Sequence, residues 1–146
     1  MRDHPYRIRG RIGTAIRQLT KKQFDIVLCE YDLGNGNENS GQDGQQLLED
    51  LRHHRLIPAW TIFIMITSEG VYSRVIGAVE LAPTDYVLKP FTVDALLQRI
   101  RRAVERREVF WPVYQQVAAG NIRKAIAGCK DCEQTNARYA ADYARL

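Results

Sequence analysis

Four side chains in the sequence have the chemistry to hold a phosphoryl group or a metal ion. Glu30 and Asp32 follow one apolar run, Thr67 follows a second, and Lys89 follows a third. Carboxylate oxygens bind divalent cations, whereas a hydroxyl and an ammonium donate hydrogen bonds to phosphoryl oxygens. These residues are far apart in the sequence, so the fold must bring them together.

Three short strands are the elements that must position these residues. The runs are Ile26–Cys29, Thr61–Ile66 and Asp85–Leu88, and amphipathic helical patterns alternate with them. Such an alternation is typical of a parallel sheet with helices on both faces. Ligands of these sheets bind at the carboxyl ends of the strands, where all four candidate residues stand. The sequence therefore predicts an α/β fold with one site at that edge.

The motifs around these strands resemble those of the receiver domain of two-component response regulators. They are Asp25-Ile-Val-Leu-Cys-Glu-Tyr-Asp-Leu-Gly34, Asp43-Gly44, Ile64-Met-Ile-Thr67 and Asp85-Tyr-Val-Leu-Lys-Pro-Phe91, within about residues 6 to 105. The resemblance implies a flavodoxin-like fold and a role in phosphorelay signal transduction. It implies action through protein-protein contacts, with a histidine kinase or a downstream signalling protein, rather than enzymatic activity.

The acceptor position departs from the family pattern. Glu30 stands where the family has its phosphoacceptor Asp, and Asp32 stands where the family often has Asn. In the family, Glu at this position commonly imitates a phosphorylated Asp, so the resemblance implies a degenerate receiver, or pseudo-receiver, in which Glu30 pairs with Lys89. Two alternatives remain open. One is a receiver still phosphorylated on Asp32, and the other is an inert scaffold that binds partners through helical repeats.

The remaining pocket residues match the family. By resemblance, Thr67 and Lys89 would bind phosphoryl oxygens, and a cis bond before Pro90 would aim the lysine. Tyr86 would be a switch residue, although an ordinary half-buried strand tyrosine is an equal alternative. The family's paired Mg²⁺-binding acids are not evident before residue 25. We therefore expect no firm cofactor, and Mg²⁺ binding weakened to what Asp32 can support.

The beginning of the chain does not follow the family pattern. Residues 13 to 23 have an amphipathic helical pattern, and Tyr6–Arg9 alternates like an edge strand. In receiver terms these are the second helix and strand, so we expect the first strand and helix to be missing. Another alignment takes Asp3-His-Pro5 as a remnant of the acid pair. If the first strand is missing, the Ile26–Cys29 strand has an open edge. Either Tyr6–Arg9 fills that edge, or a homodimer closes it, or the chain is a fragment that folds poorly alone.

The end of the chain is predicted to be a separate helical segment. Pro112 is expected to break or restart a helix, and Gly120–Ile126 resembles the turn and second helix of a tetratricopeptide repeat. Ala137–Leu146 has the pattern of a further repeat's first helix. We therefore predict a receiver-like domain over residues 1–107, incomplete at its start, and an incomplete tetratricopeptide-like hairpin over 108–146.

Composition limits the other classes of function. The chain has 146 residues, of which 45% are hydrophobic and 26% charged, and these values are ordinary for a soluble globular protein. No run approaches the roughly 20 apolar residues of a membrane span, and no signal segment opens the chain, so we expect a cytoplasmic protein. The net charge of +4 is not accompanied by interleaved aromatic residues or a recognition helix, so nucleic acid is not an expected partner.

Three cysteines do not predict a disulfide framework. The count is odd, and Cys29 belongs to a strand. Cys129 and Cys132 have C-x-x-C spacing, but a second pair or a neighbouring histidine that would complete a zinc site does not accompany them. We expect both to be ordinary residues of one helix face.

Overall fold

The computed structural model describes residues 11–33, 44–76, 81–135 and 137–139. The chain divides into two compact units, Met1–Leu96 and Leu97–Leu146, which are considered separately below. The elements of the described residues are α1 (Arg11–Lys21), β1 (Ile26–Glu30), α2 (Gly44–His53), β2 (Ile62–Ser68), α3 (Glu69–Val75), β3 (Asp85–Lys89), α4 (Val93–Ala118), α5 (Ile122–Thr135) and a 3₁₀ turn (Ala137–Tyr139).

The three strands form a parallel sheet in the order β1-β2-β3. Ile26 lies beside Ile62 at the start of the first pair, and Ile64 lies beside Asp85 at the start of the second. All three strands therefore direct their carboxyl ends to one edge. The predicted parallel sheet, followed by C-terminal helices, is confirmed. The predicted strand at Tyr6–Arg9 lies outside the described residues.

The core of the first unit lies between one face of the sheet and helices α1 and α2. Phe63 and Met65 on β2 are fully buried, as are Leu48 and Leu51 on α2. Burying one such side chain stabilises the fold by about 1.5–3 kcal/mol. The other buried members of this cluster are Ile12, Ile16, Cys29, Leu47 and Ile57. The apolar period of α2 thus fixes which of its faces meets the sheet.

Gly44, the first residue of α2, allows that helix to approach the end of β1 closely. Its N–H donates to the Tyr31 carbonyl at 2.7 Å. A Cβ at Gly44 would lie 2.6 Å from the Glu30 carbonyl oxygen and 2.8 Å from the sulfur of Met65. Atoms do not pack this closely, so only glycine fits without a shift of the helix or the strand. This contact sets the position of the backbone that carries Glu30.

Two side chains fix the connections on either side of β2. Arg52 donates to the carbonyls of Pro58 and Thr61, at 2.8 and 3.2 Å, and so holds the turn that leads into the strand. The Thr84 hydroxyl accepts from the Phe63 N–H at 2.9 Å, while the Thr84 N–H donates to the Phe63 carbonyl at 2.8 Å. This reciprocal pair sets the register in which β3 begins beside β2.

Helix α4 begins in the first unit and continues without a break to Ala118. The Thr92 hydroxyl accepts from the Ala95 N–H at 3.1 Å and so caps the beginning of this helix. The prediction that Pro112 breaks or restarts the helix is wrong, because Pro112 lies inside α4. An interior proline costs about 3 kcal/mol, and complete burial of Phe110 and Val113 on either side offsets that cost.

Helices α4 and α5 form the predicted C-terminal hairpin. Gly120 forms the turn with a φ of 75°, which is accessible to glycine without strain. Small residues of α5 face α4: Ala125 is buried, and a Cβ at Gly128 would lie 3.4 Å from Val113. The thiol of Cys132 points to the Val109 carbonyl at 3.8 Å. Because α4 crosses residues 107 and 108 unbroken, the division predicted there remains a prediction, as does the tetratricopeptide assignment.

Candidate functional site

The candidate site lies at the carboxyl edge of the sheet. Glu30 is the last residue of β1, Ser68 is the last of β2, and Lys89 is the last of β3. The register places Glu30 beside Ile66 and Ser68 beside Lys89. The end of β2 therefore extends past the end of β1, and the two charged residues must reach each other across β2.

Glu30 and Lys89 form an ion pair, as the sequence predicts. The Lys89 Nζ donates a hydrogen bond to Glu30 Oε1 at 2.7 Å. The side chains are 48% exposed for Lys89 and 38% exposed for Glu30, so water screens the attraction. Exposed pairs of this kind contribute about 0–1 kcal/mol to stability. The pair therefore fixes the position of two side chains more than it stabilises the fold.

Thr67 lies next to this pair but is not part of it. Its side chain is buried, and within the described residues no hydrogen bond joins its hydroxyl to Glu30 or Lys89. The residue beside Glu30 in the ladder is Ile66, and successive strand side chains point to opposite faces. Thr67 therefore belongs to the face that carries Met65. Of the four residues that the sequence brings to one site, the structure joins two directly.

Asp32 lies near the same carboxyl edge of the sheet. It is exposed, two residues beyond the end of β1. The backbone before it is fixed, because the Tyr31 N–H donates to the Ile66 carbonyl at 2.8 Å and the Tyr31 carbonyl accepts from Gly44. Asp32 could contribute an oxygen to a divalent cation. Among the described residues no cluster of three or more His, Cys, Asp or Glu has the arrangement of a metal site.

Pro90 and Tyr86 complete the predicted set. The Lys89–Pro90 peptide bond is cis. Tyr86 is half-buried beside Met65, and its ring meets that of Tyr72 edge-on, with centroids 5.1 Å apart. Burial, and then the neighbouring Tyr72 phenol, raise the pKa of Tyr86. The phenol thus remains protonated at neutral pH, which suits a half-buried strand residue and a switch residue equally.

Ser68 is a residue of this edge that sequence reasoning did not single out. It lies beside Lys89 in the ladder, and its hydroxyl caps α3 by accepting from the Val71 N–H at 3.4 Å. A serine between an apolar run and a helical pattern is an N-cap signal. Asp43, which the family resemblance includes together with Gly44, lies outside the described residues.

Comparison with known proteins identifies the family. A model of the response regulator receiver domain matches residues 10–101. The chain belongs to this family. Two relatives of this receiver are the chemotaxis protein CheY-3 of Vibrio cholerae, 28% identical over 93 residues, and the transcriptional regulatory protein TcrA of Mycobacterium tuberculosis, 31% identical over 109 residues. The chain is thus a receiver of two-component signalling.

The relatives extend beyond this receiver. The alignment with CheY-3 covers 64% of this chain and 66% of CheY-3, and that with TcrA covers 75% of this chain and 39% of TcrA. A solved structure described as one of "a novel family of redox sensors in the streptococci evolved from two-component response regulators" matches with a TM-score of 0.54 at 18% identity. That match covers 66% of this chain and 38% of the other, and it shows the shared fold. In the part of the receiver that the structure describes, no helix is both long and apolar enough to cross a bilayer.

Proposed function

We propose that this receiver is a degenerate, cytoplasmic pseudo-receiver that signals without being phosphorylated. The single observation that supports the proposal is the 2.7 Å contact between Lys89 and Glu30. By resemblance to the family, Glu30 stands at the acceptor position and Lys89 is the residue that binds the phosphoryl group. The side chain of Glu30 is longer than that of Asp, so its carboxylate already occupies the position that the phosphoryl group would take.

The ion pair would act by holding the ends of β1 and β3 in one arrangement. The carboxylate of Glu30 accepts the hydrogen bond that a phosphoryl oxygen would otherwise accept, so the lysine is directed toward the end of β1 without phosphorylation. In this proposal the ion pair maintains one shape of the receiver surface and catalyses no reaction, so the receiver is not an enzyme. A downstream signalling protein, or a histidine kinase bound without phosphotransfer, would recognise that surface.

The second candidate is a receiver that still accepts phosphate, on Asp32. The observation in its favour is that Asp32 is exposed at the carboxyl edge of the sheet, two residues beyond Glu30. In this mechanism an oxygen of Asp32 forms a bond to phosphorus while the bond between phosphorus and the donor's leaving group breaks, which releases acetate when the donor is acetyl phosphate. A Mg²⁺ ion held beside Asp32 would supply the neutralising charge. Labelling would then require the metal.

A third candidate is an inert scaffold that binds partners through its helices, or that pairs with a second copy. The sheet supplies an observation for pairing. β1 is one of the two outer strands of the three-stranded sheet that the structure describes, and Leu28 on this strand is 45% exposed. Apolar residues on an outer strand favour association with another chain. Sedimentation equilibrium of the wild type and Leu28→Lys measures this directly.

Intact-mass analysis after incubation with acetyl phosphate and Mg²⁺ tests these candidates. The chains compared are the wild type, Asp32→Asn and, as the matched control, Glu30→Gln. We expect no phosphate adduct on any of them under conditions that label an ordinary receiver. An adduct on the wild type that Asp32→Asn abolishes, and Glu30→Gln does not, would establish the second candidate and refute the first.

A further inference from the structure

The second unit carries large apolar side chains that its own packing leaves exposed. Val117, Ile122 and Ile126, here called the hairpin patch, are 42%, 55% and 52% exposed. Ile122 and Ile126 are one helical turn apart and share a face of α5. Val117 stands at the end of α4, joined to Ile122 through the turn at Gly120. The three residues therefore cluster at the turn end of the hairpin.

In a helix whose apolar residues all serve its own fold, the large apolar side chains are buried. In α5 the small residues are on the inner face and the large apolar ones are outside. The residues that face α4 are small, namely Ala125 and Gly128, and Ala125 is buried. The two isoleucines are instead exposed. Single exposed apolar residues are ordinary on protein surfaces. A cluster that leaves the larger side chains outside indicates a surface for another molecule.

The charge around the hairpin patch has one sign. Arg123, Lys124 and Lys130 are exposed on α5, and the sequence between Glu108 and Asp131 contains no acid. Two of these cations occupy the first turn of α5, where the helix dipole disfavours positive charge. Over the whole unit, residues 97–146 hold ten Lys or Arg against five Asp or Glu. Between Glu108 and Asp131 the sequence therefore supplies only positive charge beside the patch.

We propose that the hairpin patch binds an acidic amphipathic helix of a partner protein. Ile122 and Ile126 are about 6 Å apart along α5, a spacing that matches apolar residues one turn apart on a second helix. Carboxylates beside that apolar stripe would meet Arg123, Lys124 and Lys130. A second copy presenting this same surface would bring cations against cations, so charge complementarity favours a different, acidic partner. The proposal concerns the second unit alone and is independent of phosphorylation at Glu30 or Asp32.

Nuclear magnetic resonance of the full chain tests the proposal with three synthetic peptides of about 16 residues, long enough for four helical turns. The first peptide carries leucine on one face and glutamate elsewhere. The second replaces each glutamate by lysine, and the third distributes the same leucines around the helix. We expect the first to shift the amide signals of residues 117–130 saturably, with an affinity that falls as salt is raised. The second and third should leave those signals unchanged.

Two double variants locate the contact. Ile122→Gln with Ile126→Gln, and Arg123→Gln with Lys124→Gln, should each weaken binding of the first peptide about tenfold or more. Arg101→Gln is the matched control, because Arg101 is exposed on α4 at about 24 Å from Val117 along the helix. The control should bind within about twofold of wild type. Circular dichroism melting of each variant ensures that a loss of binding is not a loss of folding.

Three outcomes overturn the proposal. The first is that the acidic peptide produces no saturable shift, or that the third peptide binds equally well. The second is binding to phosphatidylserine vesicles in place of the peptide, which would assign the patch to a membrane surface. The third is self-association of the chain that Ile122→Gln with Ile126→Gln abolishes, which would assign the patch to a second copy. None of these depends on the result of the acetyl phosphate experiment.

Discussion

Lys89 reaches Glu30 across the full width of strand β2. The two residues end strands that do not pair with each other, yet the ammonium and the carboxylate are 2.7 Å apart. The contact exists because both outer strands end at the same edge and because both side chains are long. Because the ion pair is exposed to water, it orients the two side chains but contributes little electrostatic stabilisation.

Removing either member of this pair should therefore change stability little. We expect Glu30→Gln and Lys89→Met each to lower the free energy of unfolding by about 0.2–1 kcal/mol. The coupling energy from the double-mutant cycle should also stay below about 1 kcal/mol. Urea denaturation of the four chains gives these values. A coupling well above that range would mean that the pair is a structural element of the fold.

Gly44→Ala should destabilise the first unit. The added methyl group would meet the Glu30 carbonyl at 2.6 Å, so the helix or the strand must move. Overpacking costs about 1–3 kcal/mol, and a contact of 2.6 Å with a backbone oxygen places the cost in the upper part of that range, above the gain of roughly 1 kcal/mol from the better helix propensity of alanine. Gly70→Ala is the matched control, because a Cβ at Gly70 in α3 meets nothing within 4 Å. In urea denaturation, equal effects at the two sites would contradict the close approach described at Gly44.

Pro112→Ala should stabilise the second unit. Pro112 lies inside a continuous helix, where it cannot donate a hydrogen bond and crowds the preceding turn. Alanine restores that hydrogen bond. After allowance for the extra freedom it gives the unfolded chain, we expect a gain of about 2 kcal/mol. Thermal melting followed by circular dichroism measures the gain. A lower melting temperature would show that the proline ring itself is needed for packing.

Stability at high pH should depend on Tyr86. Its pKa is raised by burial and then by Tyr72, so the folded chain keeps the phenol proton after the unfolded chain has lost it. The unfolded state then binds fewer protons, and the free energy of unfolding falls as pH rises from about 10 through the pKa of folded Tyr86. Urea denaturation between about pH 8 and pH 11 should show a smaller fall in Tyr86→Phe, and an intermediate one in Tyr72→Phe. A wild-type curve that coincides with that of Tyr86→Phe would argue against the shift.

The strands are predictable from the sequence because apolar runs are local patterns, whereas the ion pair is predicted only through the resemblance to receivers. Ile26–Cys29 is an apolar run, and an acid follows it directly; the chemistry of the edge can therefore be read without knowing the fold in detail. The position of Thr67 cannot be read in this way. It depends on the register of β2 with its neighbours, and a shift of one residue moves a side chain to the opposite face.

Helix α4 shows the same limit on a larger scale. Pro112 is a strong local signal for a break, and the structure overrides it through the burial of Phe110 and Val113. Contacts with residues far along the chain, such as that of Val113 with α5 at Gly128, are invisible to a local pattern. The need for glycine at position 44 is likewise not predictable from local sequence, because it follows from the close approach of Glu30 and Met65 in the folded chain.

The exposure of the Glu30–Lys89 pair has an evolutionary consequence. Glutamate and aspartate codons differ only at their third base, so a single mutation exchanges one acid for the other at position 30. Since the pair contributes little to folding, such an exchange is nearly invisible to selection for a stable protein. Under the function proposed above, selection for signalling alone would then decide which acid is kept at position 30.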